Sequence, residues 1–249
     1  MATVSCIIPA YNEAVRIGDV LAVTCAHPLI DEVIAVDDGS TDHTTQIIAR
    51  FKSARLISQK RNIGKSGAIC AGIRASASDF LLFLDADLVG LTRKDVTALL
   101  RPVLQGKADA SISLRRDALL PWRTIGLDYL SGERVLRRDA LMGHLDAIAQ
   151  LPGFGLETYL NELLIRRQAR IEVVWWEGVG HMYKTQKYGI WKGIAGEARM
   201  LMNIAETISL AGTAHQIAAM RQLRARGDMA RKPASASQAV TSFLRKRYR

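Results

Sequence analysis

Three acidic segments of this chain each follow an apolar run: PAYNE at 9–13, VDDGSTD at 36–42 and LDADL at 84–88. LDADL has the sharpest spacing. Asp85 and Asp87 stand two residues apart where an apolar stretch gives way to a loop. Asp-x-Asp can offer hard oxygens to Mg2+ or Mn2+ and still leave positions open for phosphate oxygens. A lone Asp-x-Asp is more often an Asx turn at a strand end. With similar segments at two other strand ends, metal binding becomes the better reading. Glu13, Asp37, Asp38, Asp85 and Asp87 then share one edge of one sheet. Like charges repel, so such a cluster gives folding nothing by itself and calls for cations or hydrogen-bond donors. A divalent ion is one answer, and ribose hydroxyls and base N–H groups are another.

The elements that must position these residues alternate in type. Short apolar runs at 4–10, 33–37, 54–58 and 79–85 read as strands, and residues 13–25, 42–52 and 64–76 between them as helices. That order means βαβ crossovers and a parallel sheet. The strands are continuously apolar, as expected of a sheet covered on both faces. Ligands of such sheets bind outside the carboxyl ends of the strands, where the acidic segments lie. A helix at 94–104 and a strand at 108–113 follow. Residues 122–149 read as mostly helical, 156–168 as a helix, 171–177 as a strand and 178–189 as a polar loop. A long helical stretch covers 190–226, divided near Gly212.

RNIGKSGA (61–68) is not a P-loop, because the position that would need the first glycine holds Gln59. No G-x-G-x-x-G opens the first helix either. Gly64 and Lys65 nonetheless begin a helix just after a strand, which places backbone N–H groups and a cation where phosphate could sit.

The net charge of +10 is uneven. From Arg221 to Arg249 nine Lys/Arg face one acid, Asp228, so this stretch supplies +8 of the +10 and leaves the body near neutral. A body without a basic face disfavours nucleic acid as a partner. A basic, aromatic end (FLRKRYR) after the linker-like RKPASASQA suits either a solvated tail or an anionic lipid surface. The three cysteines, Cys6, Cys25 and Cys70, show no paired spacing, which fits a reduced compartment. With no signal peptide and no run long enough to span a bilayer, the expectation is a cytoplasmic protein, in contact with the inner face of the membrane if the basic tail docks there.

PAYNE, VDDGSTD, N-x-G-K-x-G-A and LDADL, in this order, resemble a family 2 glycosyltransferase of GT-A fold. The resemblance covers about residues 3–113. It extends more weakly through SGERVLRRDAL (131–141), GFGLETYL (153–160) and GVGHMYKTQKYG (178–189), which resemble the polyprenol-phosphate-mannose synthase and glucosyl-phosphoglycerate synthase branches. It implies an α/β fold: a mostly parallel, Rossmann-like sheet flanked by helices, with a helical C-terminal extension. It also implies transfer of a hexose from a UDP- or GDP-sugar with Mn2+ or Mg2+, inverting in most of the family and retaining in the phosphoglycerate branch. Residues 1–189 would form the catalytic unit, with 1–113 the nucleotide-sugar half and 114–189 the acceptor half. Residues 190–230 would be a helical segment and 231–249 a basic tail.

Carried over by position, Pro9, Tyr11 and Glu13 would line the base and ribose pocket, and Asp38 would hold base or ribose. Lys65 would sit near the nucleotide, Asp85 would face ribose or metal, and Asp87 would bind the metal that bridges the diphosphate. His181 would complete the metal shell; one imidazole with two carboxylates suits Mn2+ somewhat better than Mg2+. Lys184, with Lys187, would clamp phosphate once its loop closes. Glu157 matches the acid of the late motif, as base or acceptor-positioning group; its alternative is a helix N-terminal acid complementing the dipole. Arg134 and Arg138, one helical turn apart, and Arg137 are candidates for phosphate recognition. Trp175 and Trp176 point to opposite faces of a strand, one into the core and the other free to stack on a sugar. The acceptor stays open among a polyprenyl phosphate, a small phosphorylated acid and a saccharide, and the oligomeric state is open, a homo-oligomer included. A nucleotidyltransferase and a non-catalytic nucleotide-sugar binder are the competing readings. The former would carry a Gly-rich arginine loop where this chain has PAYNE.

Overall fold

The computed structural model describes residues 2–118, 120–181 and 210–228. Its strands are β1 (Val4–Ala10), β2 (Glu32–Asp37), β3 (Ala54–Ser58), β4 (Phe80–Phe83), β5 (Leu88–Val89), β6 (Ala110–Arg115), β7 (Arg134–Arg137), β8 (Ile171–Trp176) and β9 (Gly180–His181). The helices are α1 (Ile17–Thr24), α2 (Thr44–Arg50), α3 (Lys65–Ala75), α4 (Arg93–Leu104), α5 (Leu120–Ile125), α6 (Asp139–Met142), α7 (Leu145–Ala149), α8 (Gly155–Arg166) and α9 (Leu210–Asp228). Seven strands form one sheet in the order β3-β2-β1-β4-β7-β6-β8. Only β7 runs against its neighbours; the other pairings, β3 with β2, β2 with β1, β1 with β4 and β6 with β8, are parallel. β5 and β9 form a separate two-stranded ribbon.

The apolar strand runs are explained by two buried clusters, one on each face. Val4, Cys6, Ile8 and Ala10 of β1 join α1 and α4 on one side, whereas Ile7 joins α3 on the other. The small residues of α3 let it lie close on β1: a Cβ at Gly72 would stand 2.5 Å from Ile7 Cγ2. α4 starts at a capping box in which the Thr92 and Asp95 side chains accept each other's backbone N–H.

The reading of 122–149 as mostly helical is corrected. β7 occupies its middle, paired in register with β4 (Leu82↔Val135) and β6 (Ser111↔Val135). A four-residue strand carrying Arg at both ends has no period-2 signal of its own, so pairing on both edges decides its state. α9 runs through Gly212 without a break there. It packs on α8 and β8: Met220 and Leu223 enter the core, while Gln216 accepts from Tyr129 Oη at 2.5 Å and donates to Glu162 Oε2 at 2.9 Å. The described part of the C-terminal extension is thus built into the sheet's own core. The apolar stripe expected at Ile194, Leu201, Ile204, Ala205 and Ile208 lies outside the described residues. No helix among those described is long and apolar enough to cross a membrane.

Candidate active site

The carboxyl ends of β1, β2 and β4 meet in an open cleft of ≈ 330 Å³ lined by Pro9, Tyr11, Glu13, Asp38, Lys65, Asp85 and Asp87, with Asn62, Gly64 and three alanines filling between. Seven positions singled out in the sequence therefore share one concavity. Most of the acids, however, find their donors within the chain. Asp37, buried, accepts from Ser40 N at 3.0 Å and from the Thr45 hydroxyl. Asp42 takes Ala14 N at 3.2 Å and Thr44 N at 2.9 Å. Asp38 takes the backbone N–H of Ile63 and of Gly64, each at 2.9 Å, one on each oxygen. Glu13 is held by both Arg16 Nε and Nη2, at 3.0 and 2.6 Å. The expectation that the cluster gives folding nothing is corrected: Asp38 and Asp42 tie one loop to another, Asp37 and Glu13 brace their own segments, and charge-assisted bonds to backbone N–H are among the stronger ones. VDDGSTD is the knot joining the PAYNE loop to the 61–65 loop. Gly39 makes it feasible, with φ +73° and no room for a side chain beside the backbone of Arg61. Burial pushes the Asp38 carboxyl up from its ordinary range, opposed by its two backbone bonds.

LDADL behaves differently. Leu84, Ala86 and Leu88 are buried in the core. In the turn between β4 and β5 these three fill the core and leave Asp85 and Asp87 in the cleft lining. Lys65, the first residue of α3, reaches across from the far side. Its Nζ stands 2.7 Å from Asp85 Oδ1 and 3.0 Å from Glu157 Oε1. Burial works against its charge, but the two carboxylates outweigh it and hold the ammonium above the ordinary lysine range. Glu157, in the first turn of α8, is 2 % exposed and lies behind Lys65 rather than in the cleft lining, and its Oε2 makes no hydrogen bond.

Gly132 was not singled out in the sequence. A Cβ there would stand 2.7 Å from Lys65 Nζ and 2.9 Å from both Asp85 oxygens. The Ser-Gly pair at 131–132 was the available turn signal, hidden by the helical reading of its surroundings. Gly132→Ala must push the Lys65–Asp85 pair apart, so nucleotide affinity should fall at least about tenfold, as for a misplaced supporting group. Calorimetric titration of the variant with nucleotide checks this; unchanged affinity would mean that the pair yields freely.

The three arginines are not a phosphate-reading helix face. Arg134 is buried, with Nε 3.1 Å from Ser131 O and Nη1 3.1 Å from Asn161 Oδ1. Burial pushes its pKa down from the arginine range. Arg137 points to solvent, paired with Asp139 at 2.8 Å and lying over the Phe80 ring. Arg138 precedes α6 with its backbone N–H on Asp79 O at 2.9 Å. The strand state of β7 is the reason: it sends successive side chains to opposite faces. The tryptophans alternate as expected. Trp176 is wholly buried, donating to Asp95 O at 3.2 Å, and Trp175 is half exposed, away from the cleft lining.

Among the described side chains no three His, Cys, Asp or Glu converge as a metal cage. What the chain offers is a pair of outward carboxylates, Asp85 and Asp87, and a backbone neighbour: β9 pairs with β5 so that His181 stands opposite Leu88, the residue after Asp87. Such a hard-oxygen pair beside an imidazole-bearing strand fits a divalent cation, with Asp85 shared with Lys65. Lys184 and Lys187 lie outside the described residues.

A Rossmann-like, mostly parallel seven-stranded sheet flanked by helices, with acids gathered at three strand ends, is the arrangement of the GT-A fold. Residues 5–162 match the model of glycosyl transferase family 2, and the chain belongs to that family. It is 35 % identical over 102 residues to a dolichyl-phosphate beta-glucosyltransferase of Trichomonas vaginalis, covering 36 % of this chain and 30 % of the relative. To glucosyl-3-phosphoglycerate synthase of Mycobacterium tuberculosis it is 32 % identical over 114 residues, covering 42 % and 35 %. The matches span about a third of the length of these relatives. In structure, the chain is similar to the same mycobacterial synthase solved with Mn2+, UDP-glucose and phosphoglyceric acid: TM-score 0.65, 25 % identity, 83 % of this chain and 79 % of that one.

Proposed function

We propose that this protein transfers a hexose from a nucleoside diphosphate sugar, a UDP-sugar first among them, to an acceptor that carries a phosphate. The observation that carries the reading is the convergence of Pro9, Tyr11, Glu13, Asp38, Lys65, Asp85 and Asp87 in one cleft at the strand ends. The nucleoside would lie against Pro9, Tyr11 and Glu13, on a floor held in place by Asp38. Asp87, with Asp85 and His181, would hold Mn2+ or Mg2+. A bound divalent ion supplies neutralisation of the leaving diphosphate. Lys65 contributes a fixed positive charge beside it.

A phosphate acceptor is favoured by what Glu157 does. Its carboxylate is spent on Lys65 and is buried, so it is not presented as a base for a hydroxyl. A phosphate oxygen is already ionised near pH 7 and needs no base. Both named relatives have phosphate-bearing acceptors in their names, a dolichyl phosphate and a phosphoglycerate; the lack of a presented base favours the first kind, in which a phosphate oxygen itself would attack. Docking at the cytoplasmic face of a membrane through the basic C-terminal stretch suits the lipid-linked case.

Thermal stabilisation by UDP, GDP and their sugar conjugates tests the donor half, each with Mn2+, Mg2+ or EDTA. A ligand at ~100 times its Kd stabilises by about 2.7 kcal/mol. The expected result is a shift with one base that disappears in EDTA. Metal-independent shifts would sink the metal assignment, and no shift with any nucleotide would sink the reading as a whole. Tight binding without release of nucleoside diphosphate to either acceptor class would favour a non-catalytic binder.

A further inference from the structure

We propose that Asp117 is a positioning residue that seats the β9 strand and thereby sets where His181 stands beside Asp87; this rests on the reading of Asp87 and His181 as metal-holding residues. β6 and β8 run parallel to their ends, with Arg115 opposite Trp176, and Arg116 N donates to Trp176 O at 3.1 Å. Beyond Trp176 the chain turns and comes back as β9 against β5. Its path is a slot with three walls. Val179 is buried in the core below. The carbonyl of Gly178 lies over Gly90, where a Cβ would be 2.5 Å from it and where φ is +78°. On the other side Asp117 touches Gly180, whose Cβ would stand 2.9 Å from Asp117 Oδ2 and 3.2 Å from its Cγ. Residues 178–181 thus run between the turn that follows Asp87 and the end of β6.

Asp117 does not stand there loosely. Its Oδ1 is 3.4 Å from Arg115 Nε. Arg115 Nη1 donates to Glu133 Oε1 at 2.5 Å, and its Nη2 lies 3.8 Å from Asp128 Oδ2. Glu133 is wholly buried, and its Oε2 accepts from Ser113 Oγ at 2.7 Å and from Ser131 Oγ at 2.9 Å. A line of hydrogen bonds and ion pairs therefore runs from the floor of the acceptor half through Arg115, whose step to Asp117 is a charge contact without a hydrogen bond, to Gly180. Buried ionic networks of this kind are costly to desolvate, so their presence is weak evidence for a stabilising role. None of its members lines the cleft. Two links lead from it toward the cleft: Arg115 faces the charge of Asp85, and Asp117 touches Gly180, the residue before His181.

The test uses the full chain and Mn2+ alone, titrated by electron paramagnetic resonance, in Asp117→Asn, His181→Ala and the double variant. Asp117→Asn keeps the shape and removes the charge that Arg115 holds. Both single variants should bind Mn2+ about tenfold more weakly, the usual effect of an outer-shell partner. Both should lose the nitrogen coupling to bound Mn2+ that is expected of the wild type. The double variant should be no weaker than His181→Ala, because the two act in one line. Wild-type affinity in Asp117→Asn with a loss in His181→Ala overturns the inference and leaves the metal reading standing. Wild-type affinity in His181→Ala removes His181 from the metal reading and the inference with it. Additive losses would mean that Asp117 acts without His181, which also overturns it. Gly180→Ala presses the same contact from the other side and should weaken Mn2+ binding likewise; unaltered affinity there counts against the seat.

Discussion

Asp87→Asn is expected to abolish the metal-dependent stabilisation by nucleotide while leaving the free protein as stable as before. The side chain sits outside the core: Leu84, Ala86 and Leu88, its alternating neighbours, carry the packing of this segment. A change confined to such an outward position is normally within about 0.5 kcal/mol of the wild type. The binding effect is of another order. A nucleoside diphosphate brings at least two negative charges to a cleft that already holds Glu13, Asp38 and Asp85. Without a divalent ion, the cation that the described cleft lining offers against them is Lys65, and it is shared between two carboxylates. The stabilisation of about 2.7 kcal/mol expected for wild type at ~100 times Kd should therefore shrink to within error in the variant. Differential scanning fluorimetry with and without Mn2+ reads both numbers. Retained metal-dependent stabilisation would remove Asp87 from the metal site; a large loss of intrinsic stability would mean that the residue serves the fold.

Lys65→Met carries the second large effect, and here the fold itself is expected to suffer. The lysine neutralises Glu157, which is 2 % exposed and whose other oxygen makes no hydrogen bond. Leaving a buried charge wholly uncompensated costs about 3–5 kcal/mol, and here the buried Arg134, whose charge also faces Glu157, offsets part of it. Part of that is recovered by solvent, because the lysine side chain is 33 % exposed, so about 3 kcal/mol is the expected loss in urea unfolding. Glu157→Gln added to Lys65→Met should restore most of it, because the buried charge is then gone; that rescue separates an electrostatic cost from a packing cost. If Lys65→Met alone unfolds at the wild-type midpoint, the pair is not what holds α8 to β4. Nucleotide binding should stay weak in the rescued double variant, since the cation is still missing.

Much of the donor half was legible because its signals are local. Continuous apolar runs between small-residue and amphipathic helices specify a parallel sheet covered on both faces, and ARLIS at 54–58 coincides with β3. The polar strand ends then have to gather at one edge, because parallel strands end on the same side. The acceptor half was less legible. β7 is four residues long, and what makes it a strand is the pair of edges waiting on β4 and β6. With it misread, Gly132 was overlooked and Arg134 was placed on a surface it does not reach.

The composition and order of residues by themselves determined the sheet, the edge at which chemistry can occur and the identity of its acids, because hydrophobic period and strand polarity are properties of the chain read one residue after another. What each acid does was decided only by the tertiary structure. Asp37, Asp38 and Asp42 look equivalent to Asp85 and Asp87 in the sequence, yet Asp38 and Asp42 are taken by backbone N–H groups of other loops, Ile63 and Gly64 for the first and Ala14 for the second, and Asp37 by Ser40 N and the Thr45 hydroxyl of its own turn and helix. Lys65 could have reached toward any anion, and it is the meeting of α3, β4 and α8 that gives it Asp85 and Glu157 as partners. A carboxylate's role depends on which donors surround it, and those donors arrive by folding from residues up to 92 positions away.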